Sequence, residues 1–424
     1  MKRRLLILFS MLLVIMAVGC KGSKEDTSSE QVFDVKDIDD CEIIQLKDIS
    51  GDDKETQGYF STYYHNFAKA PKGYYYIDFL ANLLMYFDEE TEETYPVCSK
   101  INCNHNTMDC SARLATKEMA ESDKYFGFGI YYYDGYIYAI KKSGELMQIS
   151  SDGAERKTIA KIYDADAANG RIGENLVFHN GYVYAYNMNM NISKKEEHEE
   201  TIVRYSLKTG ESNTVVSYKT NVGSSITNVR CYGNQLFFTT TGISKNDDNK
   251  VVWNFKGIYV YNIETGELGK IVDGDVIDYI VNYNEKNIVY FVKDKGYYIY
   301  DCNSGESRFV KEATQDNQIV LLSYDGKYIY EDNGKWIPQT KRAGIDVKNR
   351  CIVYDTSLNY VRTVDLSNIA HGGYVYFGDE NYMFCDGISQ DNRNFLYVKK
   401  SGNWEAKMMN FDYSKVVEKG ANSK

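Results

Sequence analysis

A short strand motif, an aromatic pair following a Gly, Asn or Asp turn, recurs along the chain. It stands as Lys72-Gly73-Tyr74-Tyr75-Tyr76, Asp134-Gly135-Tyr136-Ile137-Tyr138 and Asn180-Gly181-Tyr182-Val183-Tyr184. Further copies are Gly233 to Phe238, Asn287 to Tyr290, Asp325 to Tyr330 and Glu380 to Phe384. With Tyr76, Tyr138, Tyr184, Phe238, Tyr290, Tyr330 and Phe384 as anchors, the repeat advances by 40 to 62 residues. Each copy is followed by a strand, a tight polar turn and another strand, as in Tyr261-Asn262-Ile263-Glu264-Thr265-Gly266-Glu267. Alternation such as Tyr182-Val183-Tyr184 supplies side chains to both faces of a strand. Asp/Asn/Ser/Thr/Gly clusters suit tight hairpins. Seven units of about four short antiparallel strands predict an all-β fold, a seven-bladed β-propeller over residues 41–414.

One blade cannot bury both of its faces, whereas seven packed radially can. The segment Cys41 to Leu46 precedes the first unit and reads as a spare strand. It is expected to complete the last blade, against residues 395–411, and so close the ring. Within a blade of strands A to D, the A–B and C–D turns share one side. The B–C loops and the D–A links share the other. The long segments are the B–C insertions Asn187 to Glu200, Thr241 to Asn254, Asp332 to Arg350 and Asp386 to Asn394, and the D–A link Cys98 to Lys124. That side is the expected binding face. Its candidate contact residues are Trp253, Trp336, Met188 and Met190. The competing reading of each Trp is that it packs its own loop down.

Composition narrows the function classes. The chain of 424 residues carries 39 Tyr, 18 Phe and only 3 Pro, which suits half-buried strands and excludes disorder. Its net charge of −11 argues against nucleic acid as a partner. The first residues read as an export signal. Lys2-Arg3-Arg4 is a positive start, and Leu5 to Val18 is an apolar run too short to span a bilayer comfortably. The run ends in Ala17-Val18-Gly19-Cys20, which resembles a bacterial lipobox. That resemblance implies cleavage after Gly19, a lipid on Cys20 and an exterior-facing, membrane-held protein. Residues 1–19 are then the signal peptide, 20–40 a flexible tether and 415–424 a disordered tail.

The richest chemistry is local. Cys98, Cys103, His105 and Cys110 lie close together, three thiols and an imidazole, a complete tetrahedral set for structural zinc. A disulfide between two of the thiols is the alternative, since export permits it. Either would staple the long link. With its lipobox, polar tether, Tyr-rich blades and Cys-rich segment after the first blade, the chain resembles uncharacterised β-propeller lipoproteins of anaerobic Gram-positive bacteria. That resemblance implies architecture and location, not an activity.

No His-Glu-x-x-His, Gly-x-Ser-x-Gly or phosphate-cradling glycine loop is present. His198 falls in the charged run Lys194 to Glu200, read as a solvated loop. The expected function is that of a binding or scaffold module for a glycan, peptide or envelope protein. An extracellular carbohydrate-active enzyme with its site at the axial funnel, or an envelope-assembly factor, are the alternatives.

Overall fold

The computed structural model describes residues 33–35, 38–46, 49, 66–78, 81–116, 119–162, 175–186, 198–220, 223–245, 248, 250–312, 320–332, 350–365, 375–376, 378–388, 393–409 and 411. The expected leader with its junction at Cys20, most of the tether, the tail, Met188, Met190 and Trp336 lie outside them. After an N-terminal strand β1 (Phe33–Val35) come seven sheets in chain order. Blade I holds β2 (Phe67–Ala70), β3 (Gly73–Asp78), β4 (Leu83–Asp88) and β5 (Thr94–Pro96). Blade II holds β6 (Tyr125–Tyr133), β7 (Tyr136–Lys141), β8 (Glu145–Ser150) and β9 (Arg156–Lys161). Blade III holds β10 (Asn175–His179), β11 (Tyr182–Tyr186), β12 (His198–Ser206) and β13 (Ser212–Thr220). Blade IV holds β14 (Gly223–Tyr232), β15 (Gln235–Lys245), β16 (Val251–Asn262) and β17 (Leu268–Val272). Blade V holds β18 (Val276–Asn282), β19 (Asn287–Val292), β20 (Gly296–Asp301) and β21 (Glu306–Glu312). Blade VI holds β22 (Leu321–Tyr324), β23 (Ile329–Asp332), β24 (Arg350–Tyr354) and β25 (Tyr360–Asp365). Blade VII holds β26 (Val375–Tyr376), β27 (Tyr382–Ile388), β28 (Arg393–Lys399) and β29 (Ala406–Met408). The fold is the expected seven-bladed propeller.

Local sequence explains the hairpins. Asp134-Gly135 and Asn180-Gly181 both take positive φ at two successive residues, the turn that matches strand twist. The C–D turns of blades I to VI are capped by an Asx or Ser side chain. Asn262 Oδ1 accepts from the Glu264 and Thr265 amides at 3.0 Å each, and Asp301 Oδ1 from those of Asn303 and Ser304. Alternation along each strand then feeds both blade faces. Tyr74 and Tyr76 face blade VII, while Tyr75 and Ile77 face blade II. Among the described residues the buried apolar side chains accordingly form seven clusters, one per seam between neighbouring blades.

The expected closure is corrected. Residues 41–46 do not join the last blade, which has its own outer strand β29 paired with β28. They run along the outer edges of blades IV and V instead. Ile44 N donates to Lys270 O, and Lys270 N to Glu42 O, both at 2.8 Å and in parallel register. Upstream, β1 pairs in parallel with β13 of blade III. Ile38, Cys41, Leu46 and Ile49 sink into the III–IV and IV–V seams. The physical reason is edge supply: an unpaired outer edge with apolar seams beneath it accepts a strand.

The VII–I seam therefore closes by side chains. Phe67 stacks on Phe384 at 4.2 Å. Tyr74 Oη donates to Asp379 Oδ1 at 2.6 Å, and Lys69 pairs with Asp379 at 3.0 Å and with Glu89 at 2.5 Å. Tyr382 Oη donates to the Glu89 carbonyl at 3.0 Å. In the VI–VII seam the fully buried Lys400 pairs with Asp325 at 2.8 Å and donates to the Asp379 carbonyl at 2.6 Å.

Two segments read as loops hold strand where they are described. Thr241 to Asn254 lies in the long β15–β16 hairpin. The charged run Lys194 to Glu200 is not wholly a solvated loop, because His198 begins β12 and Glu200 is buried.

Candidate metal centre

The Cys-rich segment does not begin a simple link between blades. Its two ends lie side by side on the outer strand of blade I. Val97 N donates to Leu84 O at 2.9 Å, and Leu84 N donates to Ala112 O at 2.8 Å. Leu114 N then reaches Asn82 O at 2.9 Å, with Arg113 opposite Leu83. The strand position vacated at Val97 is thus resumed at Ser111–Leu114, and residues 98–110 form an excursion from it. Ser111 Oγ donates to Val97 O at 3.1 Å and ties the base. Arg156 of blade II donates to the Ser111 and Arg113 carbonyls and holds the returning limb.

This base sets Cys98 and Cys110 beside one another, and tight turns bring the other two groups back. Asn102 and His105 take left-handed φ of 58° and 53°. The His105 amide donates to Cys103 Sγ at 3.4 Å, and His105 Nδ1 lies 3.2 Å from Cys110 Sγ. Ligand atoms of Cys98, Cys103, His105 and Cys110 all lie within 4.8 Å of one another. A tetrahedron with zinc–sulfur bonds of about 2.3 Å spaces its sulfurs about 3.8 Å apart, so small side-chain adjustments close the set around one ion. None of the described cysteines is in a disulfide. The four residues singled out in the sequence converge, and a Cys3His cluster able to hold a metal ion is in place.

The surroundings are half dry. Cys110 is buried in the VII–I cluster with Ala112, Leu83 and Phe384, and Cys98 and Cys103 pack against it. Burial pushes the Cys110 thiol up to about 12. Burial also works against the Cys98 thiolate, but the Lys100 amide, the Ser111 hydroxyl and the neighbouring thiols favour it, leaving its pKa lowered to about 7. Burial lowers the His105 pKa and favours the neutral imidazole that a metal needs. By strand parity the knuckle lies at the end of the outer strand nearest the B–C turns, as expected.

Trp253 sits on that side, in the β15–β16 hairpin opposite Ile243. It is half-buried and packs against the V–VI cluster, beside Phe255. His179 is buried, with Nε2 2.6 Å from the Gly233 carbonyl. Segment 41–46 is legible in the sequence as an added strand but was given to the wrong blade, and the turn residue Glu92 escaped the sequence reading. Glu92 had a visible signal: Thr91-Glu92-Glu93 stands where blades III and IV have Thr-Gly-Glu.

No protein-family model matches the chain, and no curated protein matches it by sequence. Among solved structures it is similar to an oligogalacturonate lyase from Vibrio parahaemolyticus, at 12% identity over 86% of this chain and 91% of that one, TM-score 0.49. A second oligogalacturonate lyase, in complex with manganese, matches at 11% identity over 87% and 97%, TM-score 0.45. The computationally designed Ika8 protein matches at 11% over 88% and 100%, TM-score 0.41.

Proposed function

We propose that the chain is a lipid-anchored, extracytoplasmic β-propeller that serves as a binding or scaffold module, with structural zinc ordering its Cys-rich knuckle. The zinc reading rests on the closed donor set. Three thiolates and one imidazole fill a tetrahedron and leave no position for water or substrate, so the ion orders the excursion rather than performing chemistry. The anchor rests on Lys2-Arg3-Arg4, the apolar run and the Gly19-Cys20 junction. The preference for binding over catalysis rests on how buried charges are used. Asp325, Lys400, Asp379 and Lys69 engage one another across blade seams. The partner is a glycan, a peptide or an envelope protein, met on the side that carries the knuckle and the β15–β16 hairpin.

Fractionation and metal analysis of the full chain, expressed in a Gram-positive host and purified under reducing conditions, test both parts. Wild-type protein should be in the membrane fraction with about one zinc per chain. Cys20→Ala should release it, or leave it uncleaved, with zinc retained. Cys110→Ser should lose the zinc and keep the anchor. Lipid labelling that survives Cys20→Ala overturns the anchor, and zinc-free wild-type protein overturns the metal. Turnover of a glycan by the released form on an array would replace the binding reading with the enzymatic one.

A further inference from the structure

In the V–VI seam a lysine lies against aromatic rings rather than an acid. Lys311, on the outer strand β21, places Nζ 3.3 Å from the centroid of the Tyr354 ring and 4.3 Å from that of Tyr297. Both hydroxyls are turned to one acceptor. Tyr354 Oη donates to Glu331 Oε2 at 2.8 Å, and Tyr297 Oη donates to the same oxygen. Glu331 is fully buried. Among the described residues Lys311 has no hydrogen bond and no ion pair; its company is two ring faces and the field of one carboxylate. Lys311 as a residue is only half-buried, so this cluster lies at the rim of the seam and not in its sealed core.

An ammonium normally keeps a hydration shell. Here ring faces replace part of it, and burial pulls the Lys311 pKa down to about 8 against the opposing charge of Glu331. Near pH 7 such an amine is neutral in about one molecule in ten, against about one in three thousand for an ordinary lysine.

We propose that Lys311 is a covalent modification site for small aldehydes, captured as an imine. The neutral Nζ gives its lone pair to the carbonyl carbon, and the carbonyl oxygen takes up a proton as the nitrogen sheds one, giving a carbinolamine. That adduct expels its hydroxyl as water, and the carbon–nitrogen double bond forms. The balance is one aldehyde and one amine in, one imine and one water out, with no oxidant or reductant. The protonated imine has fewer N–H bonds than an ammonium and is less strongly hydrated. It therefore loses less on ring faces, which attract its charge while Glu331 offsets it. A free small aldehyde and the open-chain form of a reducing sugar present the same group. The site is independent of the metal and of the anchor.

Competitive labelling tests it. The full chain is treated near pH 7 with limiting propionaldehyde and cyanoborohydride, and alkylation of every lysine is followed by peptide mass spectrometry. A parallel arm replaces propionaldehyde with glyceraldehyde or glucose. Lys311 should react about tenfold faster than the median lysine, and its lead should shrink toward pH 10, where the other amines also lose their protons. Tyr354→Leu opens one side of the cage and should return Lys311 to the median. Should that variant fail to fold, the wild-type ranking and its pH dependence decide. A Lys311 rate at or below the median near pH 7, or a lead unchanged at pH 10, overturns the proposal.

Discussion

Glu92 shows how one side chain can outweigh its own backbone. At the matching point of other C–D turns, Gly153, Gly210, Gly266 and Gly305 take φ of 73° to 75°. Glu92 takes 58°, where a side chain costs about 1–2 kcal/mol. The compensation lies across the VII–I seam. Its carboxylate accepts from Lys399 Nζ at 2.6 Å, Tyr397 Oη at 2.8 Å and Lys407 Nζ at 3.2 Å. The Lys399 hydrogen bond foremost, then the Tyr397 hydroxyl, hold the carboxyl down to about 2. Glu92→Ala keeps the strain and loses the latch, and should cost about 1–2 kcal/mol in denaturant unfolding; Glu92→Gly should recover about 1 kcal/mol of that. A depressed folded pKa contributes stability above the ordinary value near 4.5, and that stability is lost as pH falls toward 2. The Ala variant should therefore converge on wild type in acid. An equal gap at pH 7 and pH 2.5 would sink the latch.

At the scale of elements, the N-terminal segment lies where small residues leave room for it. A Cβ on Gly269 would stand 2.5–2.8 Å from three carbons of Ile44, and one on Gly305 would meet the Gln45 side chain at 2.8 Å. Leu46 N meets Tyr300 Oη at 3.4 Å, so the segment bridges two blades. Gly269→Val should expel it, uncovering Cys41 and Leu46 at a cost on the order of 1–3 kcal/mol. Hydrogen exchange reads this directly: the Ile44 and Lys270 amides should lose protection while β18 to β20 keep theirs. Protection of Ile44 unchanged in Gly269→Val would count against the segment being held there.

For the whole molecule, the seam between blades VII and I is where the chain's two ends of the ring meet without exchanging a strand. Asp379 is its pivot. One carboxylate caps the turn through the Asn381 amide at 2.9 Å and the Tyr382 amide at 3.1 Å, accepts from Tyr74, and pairs with Lys69. Burial raises its pKa, but the Tyr74 hydrogen bond and the Lys69 charge win and hold it below the usual carboxylate range. Removing one partner of a buried pair costs about 3–5 kcal/mol. Asp379→Ala should lose that much, with β2 and β27 gaining exchange together. Loss of protection in β27 alone would mean that the ring does not open at this seam.

What was legible in the sequence was local. Hairpin chemistry such as Asp134-Gly135 and Asn262 to Glu267, with alternation through Tyr74, Tyr75 and Tyr76, is enough to specify strands, their number and the burial of both faces. The donor set Cys98, Cys103, His105 and Cys110 was legible for the same reason, since its members are close along the chain. What only the tertiary structure decided is pairing at a distance. Whether residues 41–46 bind blade IV or blade VII depends on which outer edge is open and on the space left by Gly269, more than 200 residues away. The return of Ser111–Leu114 to the blade I strand, the crossing of Glu92 to Lys399 and the seating of Lys311 on Tyr354 share that cause. Each joins segments that meet only once strands have paired and blades have packed, and no periodicity or turn signal records which segments those are.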